Sequence, residues 1–149
     1  MLLFEQINND LKAAMKAREK ERLEALRNIK KAMIEARAAK GAGSELTDDE
    51  SIRIIAKLAK QGTDSAVIYK EQKREELYNQ EMTQVAVYRG YLPEKLSEKA
   101  LEKAVKAIIE KTEASSMKDI GRVMGAASKE LSGKAEGSEI AAVVKRLLS

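Results

Sequence analysis

A single proline, Pro93, interrupts a chain whose apolar residues otherwise recur at helical spacing. Leu3, Ile7 and Leu11 share one helical face near the start, and Leu101, Val105 and Ile108 do so beyond the proline. Charged residues make up 35% of the 149 residues and aromatic residues only 3%, and no alternating β-branched run suggests a sheet. A proline disfavours the helical conformation of the residue that precedes it, so a helix usually ends there. The sequence therefore predicts an all-α fold with a boundary at Pro93.

This boundary predicts an N-terminal long-helix domain, residues 1–92, and a small C-terminal three-helix domain, residues 93–149. A first helix of about four turns and a second from about residue 19 to residue 40 precede the loop 41–44, which holds two glycines. Thr47 and Glu50 have the spacing of a capping box, which predicts the start of the third helix. The residues 62–64, Gly-Thr-Asp, predict a kink or break in it. Ser97, Ser116 and Ser138 are the predicted caps of the three C-terminal helices.

Composition excludes several kinds of chemistry. The chain has no cysteine and no histidine, so it can form no disulfide and no metal site built on nitrogen or sulfur side chains. The acidic residues 48–50 are explained by the helix start, where the dipole favours negative charge. No P-loop, Rossmann fingerprint or nucleophile elbow is present, so neither catalytic residues nor a cofactor is predicted.

Nothing in the sequence predicts a membrane segment. The apolar start of the chain reaches Glu5 at once, far short of a signal peptide, and no apolar run approaches the roughly 18 residues of a membrane span. The absence of cysteine is compatible with a reducing compartment. A cytoplasmic location is therefore expected.

The segment 116–125, Ser-Met-Lys-Asp-Ile-Gly-Arg-Val-Met-Gly, carries the most specific pattern in the chain. Lys118, Arg122, Gly125 and Lys129 fall on one side of a helix, opposite an apolar face. Glycine inside an exposed helix costs roughly 1 kcal/mol relative to alanine. A bare backbone ringed by cations suits close approach of a phosphate or of another backbone. Alternatively, the glycines let a neighbouring domain pack tightly and the cations are merely solvated.

Two further basic segments are candidates for binding an anion. The loop Gly133–Gly137 places Lys134 beside a predicted helix N-terminus, whose free amides favour anions, although a tight turn capped by Ser138 explains it equally. Residues 12–40 hold ten basic and four acidic residues, and residues 45–81 hold six basic and nine acidic ones. The first run could pair with the second. It also offers Lys20, Arg27 and Lys31 to a nucleic acid.

Several of these motifs together resemble the YqeY family. The similarity comprises Tyr91-Leu92-Pro93, Leu96-Ser97-Glu98, the segment from Ser116 to Gly125, the segment Gly133-Lys134-Ala135-Glu136-Gly137, and N-terminal matches at Ala14-Met15-Lys16, Lys20 and Leu26-Arg27. It spans essentially the whole chain. Where the family often has lysine and aspartate, this chain has Arg122 and Glu136, so the sign of each charge is kept.

The resemblance implies a fold and suggests a ligand. The family shares its domain with the C-terminal tail of the B subunit of glutamyl/aspartyl-tRNA amidotransferase, a helical appendage that grips the outer elbow of tRNA while catalysis occurs elsewhere. It thus implies an all-helical two-part fold and suggests a non-catalytic tRNA-binding accessory protein. The predicted interface is Lys118, Arg122, Gly125, Lys129 and Lys134, with Lys20, Arg27 and Lys31 on the long helix.

Two other functions stay open. The first is a component of a carbon–nitrogen ligase with glutamine as amide donor, which rests on the resemblance alone and would need partner subunits. The second is a helical protein–protein adaptor whose glycine face docks a helix. One departure from the family concerns the fold: the family usually has Gly-Arg-x-Asp-Leu where this chain has Lys73-Arg74-Glu75-Glu76-Leu77, which predicts a more continuous helix there.

Overall fold

The structure, a computed structural model, describes residues 2–149. All regular elements in this range are helical, which confirms the predicted all-α class. Contacts between Cα atoms divide the chain after Leu92 into two compact units. Each unit has its own cluster of buried apolar side chains.

The N-terminal unit contains four helices: α1 (Leu3–Ala17), α2 (Lys20–Lys40), α3 (Asp48–Glu71) and α4 (Glu75–Arg89). Its core forms where the apolar faces of α1 and α2 meet the first half of α3 and the end of α4. Ile7, Leu26, Ile29, Met33 and Ile55 are fully buried there. The start of α3 is capped as predicted, since the Thr47 side chain accepts from the amide of Glu50 and the Glu50 carboxylate accepts from the amide of Thr47.

The predicted break at residues 62–64 is wrong, because α3 runs without interruption through Gly62. A Cβ placed on Gly62 would lie 2.7 Å from Cγ2 of Val85 on α4. The glycine therefore permits the close approach of two helices and does not end one.

The break in this helical hairpin lies ten residues later, so the predicted continuous helix near Lys73 is also wrong. Glu71 ends α3 and Glu75 begins α4. Lys73 lies between them in the left-handed conformation, with φ 59°. That conformation favours glycine, so the turn persists although a lysine occupies it.

Side-chain hydrogen bonds connect α1, α2 and the end of α4. The Tyr91 hydroxyl donates to Asp10 at 2.6 Å and accepts from Arg22 at 3.3 Å, and the amide of Asn28 donates to the Tyr88 hydroxyl at 3.0 Å. Burial, together with the Asp10 carboxylate, raises the pKa of Tyr91. These bonds fix the segment that leads to Pro93.

The C-terminal unit contains α5 (Glu98–Lys111), a 3₁₀ turn (Met117–Asp119), α6 (Ile120–Glu130) and α7 (Gly137–Leu148). Val105, Val123, Ala127 and Val144 are fully buried at its centre. The Ser97 side chain accepts from the amide of Ala100, which confirms the predicted cap of α5. These three helices position the segment that the sequence singles out.

Candidate nucleic-acid interface

The turn that leads into α6 is fixed by side chains that accept hydrogen bonds from backbone amides. The Ser116 hydroxyl accepts from the amide of Lys118, so Ser116 caps the 3₁₀ turn and not, as the sequence predicts, α6 itself; the N-cap position of α6 is Asp119, which makes no side-chain cap hydrogen bond. The Asp119 carboxylate accepts from the amide of Ser115 at 3.0 Å. That backbone hydrogen bond is the main reason why the pKa of Asp119 is lowered, and the charge of Arg122 contributes. The turn that carries Lys118 is therefore held in one conformation.

One side of α6 faces the core and the other is open to solvent. Val123 and Ala127 are fully buried, and the residues at the opposite positions are exposed. We call this exposed set the α6 ridge; its members are Lys118, Gly121, Arg122, Gly125, Ser128 and Lys129. Four of the eight predicted interface residues thus lie on a single surface.

The two glycines of the ridge have open space beside them. No heavy atom lies within 4 Å of a Cβ built on Gly121 or on Gly125, apart from the neighbouring residues and the backbone of their own helix. Packing within the C-terminal unit therefore does not require glycine at either position. What the glycines provide is bare, accessible helix backbone.

The cations of the ridge are available to a ligand. Arg122 pairs with Asp119 at 3.2 Å, and its side chain is still 57% exposed. Lys118 and Lys129 make no ion pair with any residue in the range 2–149. An exposed ion pair contributes little to folding stability, so Arg122 can exchange Asp119 for a phosphate at small cost.

The loop before α7 places Lys134 in a defined position but offers no free helix N-terminus. Its carbonyl accepts from the amide of Leu96 at 2.8 Å, and its side chain is exposed. The predicted Ser138 cap is wrong: α7 begins one residue earlier, and Glu136 and Glu139 form a capping box. Because these two carboxylates occupy the positive end of the helix, its amides are not open to an anion. The interface role of Lys134 stays a prediction that depends on its side chain.

The three remaining predicted residues, Lys20, Arg27 and Lys31, belong to α2 in the other unit. All three are exposed and have no ion-pair partner in the part of the chain that the structure describes. Arg27 and Lys31 line a shallow depression with Ile34. They form a basic surface of their own in the N-terminal unit. The alternative that this basic run pairs with the acidic run is met by one ion pair among the described residues, that of Lys40 with Glu50, at 2.7 Å.

The sequence prediction of this interface missed two members of the ridge. Gly121 precedes Gly125 by four residues, and Ser128 follows Gly125 by three, so helical spacing places both on the same side. The signal was present, but the predicted set was limited to the cations and the one glycine that continues their spacing. Ser128 adds a hydroxyl, which can donate to a phosphate oxygen.

The described residues offer neither a metal site of clustered acidic side chains nor a membrane-spanning helix. Among residues 2–149 there is no group of three or more acidic residues arranged to hold a metal ion. None of the described helices is both long and apolar enough to cross a membrane. Tyr88 and Tyr91 use their hydroxyls inside the N-terminal unit, so they form no exposed platform for base stacking.

Comparison with known proteins identifies the family. The family model described as Yqey-like protein matches residues 4–148. The chain is 30% identical over 140 residues to a protein named altered inheritance of mitochondria protein 41, mitochondrial, from Pyrenophora tritici-repentis. That alignment covers 93% of this chain and 76% of the relative. The chain therefore belongs to the YqeY family.

Proposed function

We propose that this protein is a non-catalytic accessory protein that binds tRNA through the α6 ridge. The observation that carries the proposal is the open backbone at Gly121 and Gly125 among three exposed cations. Glycine in an exposed helix lowers the stability of the folded protein. No packing contact within the C-terminal unit requires a glycine at either position. A ligand that must approach the backbone closely supplies the missing reason.

The chemistry of the ridge suits phosphates and RNA shape, with little reading of bases. Arg122 can offer two parallel N–H donors to one phosphate, and Lys118 and Lys129 supply point charges on either side of it. Lys118 and Lys129 are eleven residues apart, so the charges extend about 16 Å along the helix. No exposed aromatic ring on the ridge could stack on a base. A structured RNA with an exposed backbone is therefore the preferred ligand class.

Family membership supports this proposal through the related amidotransferase tail, which binds tRNA. The carbon–nitrogen ligase alternative rests on the same relation, and no group of side chains described above favours it. The adaptor alternative uses the same glycine face as the tRNA proposal, but its ligand is a helix of a partner protein. We also propose a cytoplasmic location, although the name of the fungal relative places that protein in mitochondria.

The first experiment measures the fluorescence anisotropy of labelled tRNA titrated with the full chain at about 50 and 200 mM salt. If Lys118, Arg122, Lys129 and Lys134 each neutralise one phosphate, affinity should fall roughly 50- to 150-fold between these concentrations. A DNA duplex of similar length serves as competitor and should bind more weakly. Absence of binding at 50 mM salt would exclude the RNA function.

A charge reversal locates the surface. Arg122→Glu should weaken tRNA binding about tenfold or more and reduce the salt slope by about one contact. Arg146→Glu is the matched control, because Arg146 also lies in the C-terminal unit, is 55% exposed and pairs with an acidic side chain, Glu102. It should leave affinity within about twofold. Equal effects of the two variants would show that only net charge matters.

Gly125→Ala tests the role of the bare backbone. The added methyl meets no neighbour, so the variant should gain up to about 1 kcal/mol in free energy of unfolding. If a ligand approaches the backbone closely, binding should weaken despite this gain. If the adaptor alternative holds instead, tRNA binding will be absent, and a protein partner should bind with little dependence on salt.

A further inference from the structure

The distal half of the α3–α4 hairpin lies outside the core of its unit. Core side chains on α3 end at Ala59, and those on α4 begin at Val87. We call residues 60–84 the arm. Within this fully described segment, the buried residues are Gly62 and Ala66, both small. The two helices of the arm thus approach each other closely but enclose almost no apolar volume.

The arm instead exposes apolar side chains. Val67 is 51% exposed, Ile68 52% and Leu77 37%. A groove of about 480 Å³ runs between its helices; it is lined by Thr63, Ala66, Val67, Lys70, Glu71, Tyr78 and Met82. Two helices alone cannot cover their apolar faces, and Val67, Tyr78 and Met82 give the groove the apolar lining of an interaction surface.

The charges of the arm identify the occupant. Four basic residues (Lys60, Lys70, Lys73, Arg74) face five acidic ones (Asp64, Glu71, Glu75, Glu76, Glu81), so the arm is nearly neutral although the whole chain carries +4. A strongly charged partner would find little complementarity there. A surface that pairs with its own copy must be self-complementary. The adjacent Lys70 and Glu71 at the groove satisfy that condition, because a two-fold axis can set each against its opposite.

Shape supports the same occupant. Val67 both protrudes into solvent and lines the groove, so one copy can supply the knob and the other the recess. We propose that the arm binds the arm of a second copy of this chain, with the two hairpins packed as a four-helix arrangement. The α6 ridge takes no part, so this association is independent of tRNA binding.

The size of the arm predicts a weak dimer. The helical part of α3 in the arm is about 18 Å long, and two adjacent helices are about 20 Å wide. This footprint is smaller than the roughly 800 Å² per partner of standard stable interfaces. We therefore expect a dissociation constant of roughly 10 µM to 1 mM, in the range of transient complexes.

Sedimentation equilibrium of the full chain, without RNA, tests the proposal at about 10 µM to 1 mM protein and near-physiological salt. The apparent mass should rise with concentration from the 16.5 kDa monomer toward twice that value and should fit a monomer–dimer equilibrium. Val67→Asp should weaken association at least tenfold, because it places a carboxylate in the groove. Its matched control is Ile34→Asp on α2, at a side chain that is 49% exposed and outside the arm; it should leave association unchanged.

A charge exchange tests the two-fold arrangement. Lys70→Glu should weaken the dimer, and the double variant Lys70→Glu with Glu71→Lys should restore it, because each charge meets its opposite again. Circular dichroism verifies that the variants stay helical. A mass that stays at 16.5 kDa throughout, or a dimer unaffected by Val67→Asp, would overturn the proposal. Neither result would bear on tRNA binding, because the α6 ridge belongs to the other unit.

Discussion

Two glycines inside helices of this chain, Gly62 and Gly125, lie in opposite environments. Gly62 is buried, and a Cβ there would lie 2.7 Å from Cγ2 of Val85. Gly125 is exposed, and a Cβ there would meet nothing within 4 Å. Both residues interrupt a helical pattern in the same way in the sequence. The difference lies in the packing partner: α4 packs against Gly62, so this glycine is needed for folding, whereas no described helix covers Gly125, which is accessible to a ligand.

The contrast gives a prediction at Gly62. Gly62→Ala should lower the free energy of unfolding by about 1–3 kcal/mol, because overpacking against Val85 exceeds the gain in helix propensity. Val85 is β-branched and 1% exposed, so it cannot easily move aside. Urea denaturation followed by circular dichroism measures the change.

A double variant supplies the control for Gly62. Val85→Ala removes the Cγ2 atom that the new methyl would meet, so the penalty of Gly62→Ala should largely vanish in that background. An equal penalty in both backgrounds would refute the proposed clash.

Among whole elements, the start of α3 is the most strongly defined helix terminus. The Glu50 carboxylate accepts from Lys40 Nζ at 2.7 Å and from the backbone amide and hydroxyl of Thr47 at 3.2 and 3.0 Å. These contacts, the Lys40 hydrogen bond first among them, lower the pKa of Glu50 to about 2. A lowered carboxyl pKa means that the folded state binds this proton more weakly than the unfolded chain.

The resulting prediction concerns stability in acid. The stabilisation that Glu50 gives should be fully present above its ordinary pKa of 4.5 and lost as the pH falls from there toward about 2. Glu50→Gln should therefore be less stable than wild type at pH 6, and the difference should shrink below pH 4.5. Urea midpoints between about pH 2 and 7 measure it.

Lys40→Met provides the matching partner variant. It removes the largest cause of the lowered pKa, so the acid-dependent loss should be smaller than in wild type and should be complete at a higher pH. A difference between wild type and Glu50→Gln that stays constant over this range would contradict the role given to Glu50.

Helix starts show how far the sequence could predict these elements. Thr47 and Ser97 were predicted as caps, and both are confirmed, because capping depends on residues within one turn. The prediction of Ser138 as a cap was wrong, because Glu136, two residues earlier, forms a capping box with Glu139. The turn at Lys73 was missed because no glycine or proline marks it.

Contacts distant in sequence were beyond such reasoning. The hydrogen bond from Tyr91 to Asp10 joins residues 81 positions apart, and no local pattern indicates it. The candidate interface was more accessible to prediction. Arg122, Gly125 and Lys129 share α6, and Lys118 lies in the 3₁₀ turn directly before it, so helical spacing alone predicts that they lie together. The sequence could not show whether other side chains fill the space beside Gly121 and Gly125; the structure shows that, among the described residues, this space is empty.

For the whole molecule, two separate apolar cores imply two folding units. The core cluster of the first unit draws on residues up to Leu92, and that of the second begins at Leu96. No side chain belongs to both clusters in the part of the chain described. Cooperative unfolding depends on a shared core, so we expect each unit to fold by itself, the smaller one with only modest stability.

The segment between Pro93 and α5 belongs to the second unit through its contacts. Lys95 lies 3.5 Å from Glu136 and 3.6 Å from Glu139, and the amide of Leu96 donates to the Lys134 carbonyl at 2.8 Å. Residues 93–149 should therefore fold alone into a helical unit, with a free energy of unfolding of about 2–4 kcal/mol. Removal of residues 93–96 should lower that stability, because the Lys134 loop loses its hydrogen bond to Leu96.

Thermal and urea unfolding of both shortened chains, followed by circular dichroism, provide the test. Val105→Asp in the longer one is the control, since Val105 is fully buried and a carboxylate there should abolish folding. If residues 93–149 show no cooperative transition, the two cores depend on each other. If they fold and bind tRNA with much of the full chain's salt dependence, the α6 ridge and Lys134 are sufficient for recognition and α2 is dispensable.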